Sequence, residues 1–202
     1  MAEAPDPAQP GLGEELRALA LISLGTTEFW AAGEDPERHL EMGVALARRI
    51  GRPFLEFTGL AYQAAAGIYQ SFARAAERGR QAIELARRHG WADEPAAGLA
   101  YVILGAMLAW QMRPGEAEPW VQRAERVLRA ETEPAAVLGM YRARGVLELA
   151  RGRDADALAA FQAAGRTPDR TAHAPHADAG TAAAHPGAPR RRRARRAGPR
   201  RP

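Results

Sequence analysis

Apolar residues recur along most of this chain at the three- and four-residue spacing of an amphipathic helix, without the alternation typical of strands. The pattern predicts eight helices in four pairs. Their predicted ranges are 14–32 with 37–49, 54–69 with 72–89, 95–112 with 116–130, and 134–150 with 154–164. Glycines and prolines separate these ranges, as expected at helix ends. The sequence therefore predicts an all-α protein with one helical domain over residues 14–165.

The two helices of a pair differ in their apolar pattern. The second helix carries one stripe, which in the range 72–89 comprises Phe72, Ala75, Ala76, Gly79, Ala82, Ile83 and Ala86. The first helix of the third pair is instead apolar on nearly every side from Leu99 to Trp110. Such a helix has to be covered on every side. We therefore expect it to lie between its own partner and the next pair of helices.

The pairs also repeat along the chain. Small residues recur in the first helices at Gly25, Gly67, Gly105 and Gly145, with spacings of 42, 38 and 40. Residues 45–51 resemble residues 84–90 at a spacing of 39. A two-helix unit of about 40 residues predicts an α-solenoid of about four hairpins similar to tetratricopeptide (TPR) repeats. Because glycine inside a helix costs about 1 kcal/mol relative to alanine, the four glycines predict close helix–helix approach.

The two ends of the chain differ from the helical region in composition. Residues 1–13 are rich in Pro and Gly, and residues 167–202 contain only Ala, Arg, Pro, Gly, Thr, His and Asp. Since neither segment can bury a core, the sequence predicts disorder in residues 1–13 and 166–202. Residues 167–202 carry nine Arg and two Asp, a charge of +7, whereas the other 166 residues sum to −3. The basic character of the chain thus belongs to its last segment.

One hypothesis for this last segment is translation in a shifted reading frame. Ala, Arg, Pro, Gly and Thr make up 31 of its 36 residues, and their codons carry G or C at the second position (for Arg, the CGN codons). The chain has no Lys and is rich in Ala, which indicates a GC-rich gene with G or C at most third positions. A shift by one base would produce this composition, so the native frame is expected to end near Gly165.

The alternative hypothesis is that the segment binds nucleic acid. Its basic cluster includes Arg190, Arg191, Arg192, Arg193, Arg195 and Arg196. Such a cluster neutralises phosphates through counterion release. No aromatic residue lies among these arginines to stack on bases. The predicted binding would therefore have no sequence preference.

Sequence patterns of catalysis are missing from the helical region. It has no glycine-rich phosphate loop, dinucleotide fingerprint or Gly-x-Ser-x-Gly motif, and the chain has no Cys. His39 and His89 lie near predicted helix boundaries, where a solvated or capping role is expected. His173, His176 and His185 lie in the last segment, with no surrounding residues to orient them toward a metal. The sequence predicts a scaffold that is not an enzyme and has no cofactor or metal.

The apolar pattern also bears on cellular location. The longest apolar stretch, Gly98 to Trp110, is too short to span a bilayer. The first residues lack the basic start and apolar run of a signal peptide. The lack of Cys fits a reducing compartment. We therefore expect a cytoplasmic protein without a membrane partner.

Aromatic residues on the first helices are the main candidates for binding. They are Trp30, Tyr62, Tyr69, Tyr101, Trp110 and Tyr141, and they are accompanied by Gln63, Gln70 and Gln111. One interpretation is packing within the core and between repeats. The other is a groove on the concave face that binds a peptide or a small effector, since exposed aromatics beside polar groups suit such recognition. Terminal repeats without a polar cap additionally predict self-association.

Parts of the helical region resemble the repeats of large MalT-type transcriptional regulators of the LuxR class, in the style of actinobacterial members. The resemblance is carried by residues 98–110, 114–118, 124–128 and 145–158. It implies repeats that sense an effector or partner, between a nucleotide-binding switch domain and a helix-turn-helix. This chain has neither a phosphate loop nor a helix-turn-helix, so neither ATP hydrolysis nor DNA binding is carried over. The expected function is protein or effector binding by a fragment of such a regulator, and the alternatives are a stand-alone TPR adaptor or a nucleic-acid-associated protein.

The flanking DNA distinguishes these alternatives. We expect translation of the region downstream of codon 165 to encode further helical repeats and a helix-turn-helix in a shifted frame. Sequencing from about 500 bases upstream to about 1500 bases downstream of the gene would test this expectation. At three bases per residue, that range is long enough to encode neighbouring domains of a multidomain regulator. A flanking sequence that encodes no repeats in any frame would instead favour the adaptor or the nucleic-acid interpretation.

Overall fold

All regular elements in the described part of the protein are helical, which confirms the predicted all-α class. The structure, a computed structural model, describes residues 12–33 and 35–166, without the side chains of Leu12 and Tyr69. The α-helices are α1 (Leu12–Trp30), α2 (Pro36–Arg49), α3 (Pro53–Ala66), α4 (Phe72–Arg88), α5 (Gly98–Trp110), α6 (Pro114–Val127), α7 (Pro134–Ala150) and α8 (Asp154–Arg166). Residues 1–11 and 167–202 lie outside the described residues, and so do the predictions made for them.

The helix boundaries follow local proline and glycine chemistry. Proline occupies the first turn of α2, α3, α6 and α7, where its missing N–H leaves no hydrogen bond unmade. The predicted starts of α2 and α3 were therefore one residue late. Two predicted helices each include a short 3₁₀ turn, Gly67–Tyr69 after α3 and Pro95–Ala97 before α5. Helix α1 begins two residues before its predicted start.

Consecutive helices pack against each other, and the helices form two layers. Helices α1, α3, α5 and α7 also contact one another in sequence order and form the inner layer. Helices α2, α4 and α6 each pack between two inner helices, and α8 packs on α7 to complete the outer layer. The short connections make neighbouring helices antiparallel and the inner helices parallel to each other.

Helix α5 is the centre of the core. It contacts α3, α4, α6 and α7, and nearly all of its residues are buried. Tyr101 and Leu104 are among the largest fully buried side chains of the described residues. The predicted position of α5 between its partner α6 and the next pair of helices is confirmed, but Leu99, Ala106 and Trp110 are not fully covered. No helix in the described ranges is long and apolar enough to cross a membrane.

Three of the four predicted glycines lie where two helices of a pair approach most closely. A Cβ on Gly25 would lie 2.6 Å from Leu40 Cγ, and one on Gly105 would lie 2.7 Å from Val121 Cγ2. A Cβ on Gly145 would lie 2.5 Å from the Phe161 ring. The prediction was wrong for Gly67, because this residue begins the 3₁₀ turn after α3. The inner-helix residue that lies 40 positions from both Gly25 and Gly105 is the buried Ala65.

Arginine-centred ion pairs join helices on the outside of the core. Arg144 of α7 hydrogen-bonds to Glu118 and Glu125 of α6, with nitrogen–oxygen distances of 3.1 and 2.8 Å. Arg151 also pairs with Glu118. Burial alone would raise the pKa of Glu118, but the hydrogen bond and charge of Arg144, with the charge of Arg151, lower this pKa overall. On the other side of the core, Arg78 of α4 pairs with two glutamates of α2.

We expect Gly25→Ala to lower the free energy of unfolding by about 1–3 kcal/mol, because the new methyl group would overlap Leu40 and lie 2.9 Å from the Pro36 carbonyl oxygen. Urea unfolding followed by circular dichroism measures this change. Gly115→Ala is the matched control, since a Cβ there meets no atom within 4 Å. The control is expected to be neutral or stabilising by up to about 1 kcal/mol. Equal effects of the two substitutions would contradict the close approach.

A second prediction concerns the acid dependence of stability. Because the folded-state pKa of Glu118 lies below its unfolded value of 4.5, its contribution is present above that pH and is lost as pH falls through the folded pKa. Glu118→Gln should therefore cost about 1 kcal/mol at pH 7 and less at lower pH. Urea unfolding of the wild type and of Glu118→Gln, at pH 7 and at about pH 3, measures the difference in their free energies of unfolding at each pH. The exposed Glu84, paired with Arg88, provides the control Glu84→Gln, for which a change below about 0.5 kcal/mol is expected. An unchanged acid dependence in Glu118→Gln would contradict the assignment.

Candidate functional site

The inner layer encloses an apolar groove with a volume of about 560 Å³. Six residues of α5 line it: Leu99, Val102, Ile103, Ala106, Met107 and Trp110. Residues between Ala135 and Val146 line it from α7, and the carboxyl-terminal ends of α1 and α3 close one side. Because α5 and α7 are parallel, the groove runs along both. The twelve-residue span on α7 corresponds to a length of about 16 Å.

Partly exposed aromatic side chains line this groove. Trp30, Phe72, Trp110 and Phe161 are 38, 43, 55 and 37% exposed. Phe72 and Trp110 stack on each other, with ring centroids 6.5 Å apart and an interplanar angle of 27°. Large apolar side chains that stay accessible beside a concave apolar surface are typical of sites that bind an apolar partner.

A smaller pocket of about 220 Å³ adjoins the groove at the amino-terminal ends of α3, α5 and α7. Leu99 and Ala136 line both cavities. Tyr62 lies in the smaller pocket and hydrogen-bonds to Trp30. Burial raises the pKa of the Tyr62 hydroxyl, the Trp30 hydrogen bond opposes this rise, and the charge of Glu133 adds to it. The Tyr62 hydroxyl is therefore neutral at physiological pH, and it can donate a hydrogen bond to a ligand or accept one from it.

The groove and the smaller pocket together have two charged side chains among their lining residues. These are Glu133 in the smaller pocket and Arg142 in the groove. Both are exposed. Arg142 lies nine residues beyond Glu133, which places their backbones about 13 Å apart along α7. The arginine forms no ion pair with a residue in the described ranges. The site thus offers one negative and one positive group at defined positions on an otherwise uncharged surface.

The predicted groove residues divide into two groups in the structure. Trp110 lines the apolar groove and Tyr62 lines the adjoining pocket, so these two are brought to one continuous surface. Trp30 joins them, because its ring lies 6.5 Å from that of Tyr62. The side chain of Tyr69 is outside the described part of the protein.

The other predicted groove residues do not line either cavity. Tyr101 is fully buried, donates a hydrogen bond to the Ala92 carbonyl oxygen at 2.7 Å and stacks on Trp120. Tyr141 packs against the core, and the Gln63 side chain is also buried. Gln111 follows α5 as its C-cap. For Tyr101 and Tyr141, packing within the core is therefore the correct interpretation.

Several groove residues were not identified from the sequence. Phe72 belongs to the apolar stripe of α4, but it occupies the first turn of that helix and lines the groove instead of being covered. Phe161 reaches the groove from α8 past Gly145, which has no side chain to block it. No local sequence signal marks Arg142, because its position depends on how α7 rotates against α5.

The remaining chemical predictions concern metals and nucleic acid. No group of three or more His, Asp or Glu side chains in the described ranges is arranged to hold a metal ion. The arginine cluster from Arg190 to Arg196 lies outside the described residues, as do His173, His176 and His185.

Comparison with known proteins adds no relative. No family model, no curated protein and no solved structure matches the chain.

Proposed function

We propose that this protein is a binding module, a TPR-like α-solenoid of four hairpins whose inner helices hold an apolar partner. Two features support the solenoid. The inner helices contact one another in sequence order, with an outer helix between each neighbouring pair. Gly25, Ala65, Gly105 and Gly145 are spaced by 40 residues in the inner helices. Both features are those of a two-helix repeat that stacks on its neighbours.

One observation carries the binding function, namely the apolar groove of about 560 Å³ with its accessible aromatic side chains. Its size lies within the range of ordinary ligand sites. Trp110 lines the groove, yet 55% of its surface is exposed. An apolar partner that fills the groove would remove this surface from water, at about 25 cal/mol per Å² of apolar area.

The wider setting of this module is proposed from the resemblance to LuxR-class regulators. In that setting the groove would bind the effector or partner protein to which the regulator responds. A stand-alone adaptor would use the same groove. Gene context distinguishes these two, whereas the binding surface is common to both.

The proposal is tested by titrating the full chain with 1-anilinonaphthalene-8-sulfonate, an anionic apolar dye that fluoresces in apolar surroundings. We expect saturable binding to the wild type. The double variant Phe72→Ser/Trp110→Ser should bind about tenfold more weakly, because it removes the stacked aromatic pair from the groove. Direct excitation of the dye keeps the loss of a tryptophan from affecting the signal.

The matched control is Leu16→Ser/Leu24→Ser on α1. These leucines are 55 and 45% exposed, against 55 and 43% for Trp110 and Phe72, and they do not line the groove. The control variant should bind the dye as the wild type does. Equal losses in the two double variants, or no saturable binding to the wild type, would refute the groove as a binding site.

A further inference from the structure

We infer that the partner in the groove is an amphipathic helix of about three turns, with an acidic side chain facing Arg142 and a basic one facing Glu133. This inference deepens the proposed binding function and rests on it. It follows from three properties of the surface: the small number of its polar groups, its length, and the positions of its two charges.

The small number of polar groups decides the conformation of the partner. Apart from the two charged side chains, Thr58 and Tyr62 are the polar residues with hydroxyl groups that line the two cavities. An extended peptide would place its N–H and C=O groups against apolar walls without partners, and each unpaired group costs about 1–3 kcal/mol. A helix pairs these groups internally and presents only side chains. The groove is therefore suited to the apolar stripe of a helix.

The length of the groove sets the size of the helix. A span of about 16 Å along α7 corresponds to about eleven helical residues, or three turns. An amphipathic helix of that length places about four or five apolar side chains on one face. A cavity of about 560 Å³ matches the volume of those side chains and not that of a whole helix. The partner would lie with its polar face toward solvent.

The two charges give the partner a direction. Glu133 precedes α7, and Arg142 lies at the middle of that helix, toward the other end of the groove. A partner helix antiparallel to α7 would meet Arg142 with its first turns and Glu133 with its last turns. An acidic residue early and a basic residue seven or eight positions later lie on the same side of the partner helix and satisfy both contacts. They also favour the dipole of the partner helix. Charge complementarity of this kind fixes register and orientation more than it adds affinity.

The experiment uses two labelled synthetic peptides of about 16 residues with the same leucine-rich helical stripe. The first carries Glu in its first turns and Lys seven or eight residues later on the same side of the helix, and the second carries Gln at both positions. Fluorescence anisotropy with the full chain measures binding. We expect both to bind, the charged one about tenfold more tightly, since each of its two charge pairs contributes about threefold. Both should bind about tenfold more weakly to Phe72→Ser/Trp110→Ser.

Single charge variants test the orientation. Arg142→Gln should weaken the charged peptide about threefold and leave the neutral peptide unchanged. Glu133→Gln should also weaken binding of the charged peptide only, because it removes the partner of the peptide's lysine. Arg126→Gln is the matched control, since Arg126 is an exposed arginine of α6 that does not line either cavity. This control substitution should leave the affinity for both peptides unchanged.

Three results would overturn the inference and leave the proposed function in place if the dye still binds the groove. The first is no peptide binding, which would exclude a helical partner. The second is binding of both peptides without an effect of the charge variants, which would exclude the charge pairing. The third is a wild-type dimer that dissociates in Phe72→Ser/Trp110→Ser but not in Leu16→Ser/Leu24→Ser, which would identify a second copy as the occupant of the groove. Loss of dye binding as well would overturn the proposed function itself.

Discussion

Burial of α5 is the constraint on which the rest of the structure depends. This helix has no polar face, and a helix of that kind is stable in water only when neighbours cover most of its circumference. Helices α3, α4, α6 and α7 provide that cover, and only Leu99, Ala106 and Trp110 of α5 stay partly exposed. The requirement places one hairpin on each side of the α5–α6 pair and so fixes the two-layer order. Close approach at Gly105, where α6 lies against α5, lets this cover be tight enough to exclude water.

The groove is a consequence of the same arrangement. Outer helices fill the spaces between inner helices from one side only, so the opposite side of the inner layer has no covering layer in the described part of the protein. Apolar side chains of α5 that a closed bundle would cover, such as Leu99 and Trp110, stay partly exposed there. The ion pairs of Arg78 and Arg144 lie on helices of the outer layer and their neighbours. Charge and apolar surface are thus separated onto different parts of the molecule.

The sequence predicts a groove on the first helices, and those helices do line the cavity, but most of the predicted residues do not. Among the aromatics, exposure separates Trp110 from Tyr101, although both lie on α5 and both follow the apolar pattern. A helix that is apolar on every side gives no periodic signal for which side stays accessible. Phe72 and Phe161 were missed for the related reason that they reach the groove from outer helices.

The sequence by itself determined the all-α class, the eight helices and most of their boundaries, because periodicity, proline and glycine act within one turn of the chain. It also determined that α5 must be central, since its composition allows no other position. Only the tertiary structure decided which aromatics remain accessible, and that Glu133 and Arg142 share one surface. Those properties depend on the rotation of each helix about its own axis. That rotation is set by contacts between helices, such as that of Gly105 on α5 with Val121 on α6. Side-chain volume at such contacts, and not local propensity, determines how the helices fit together.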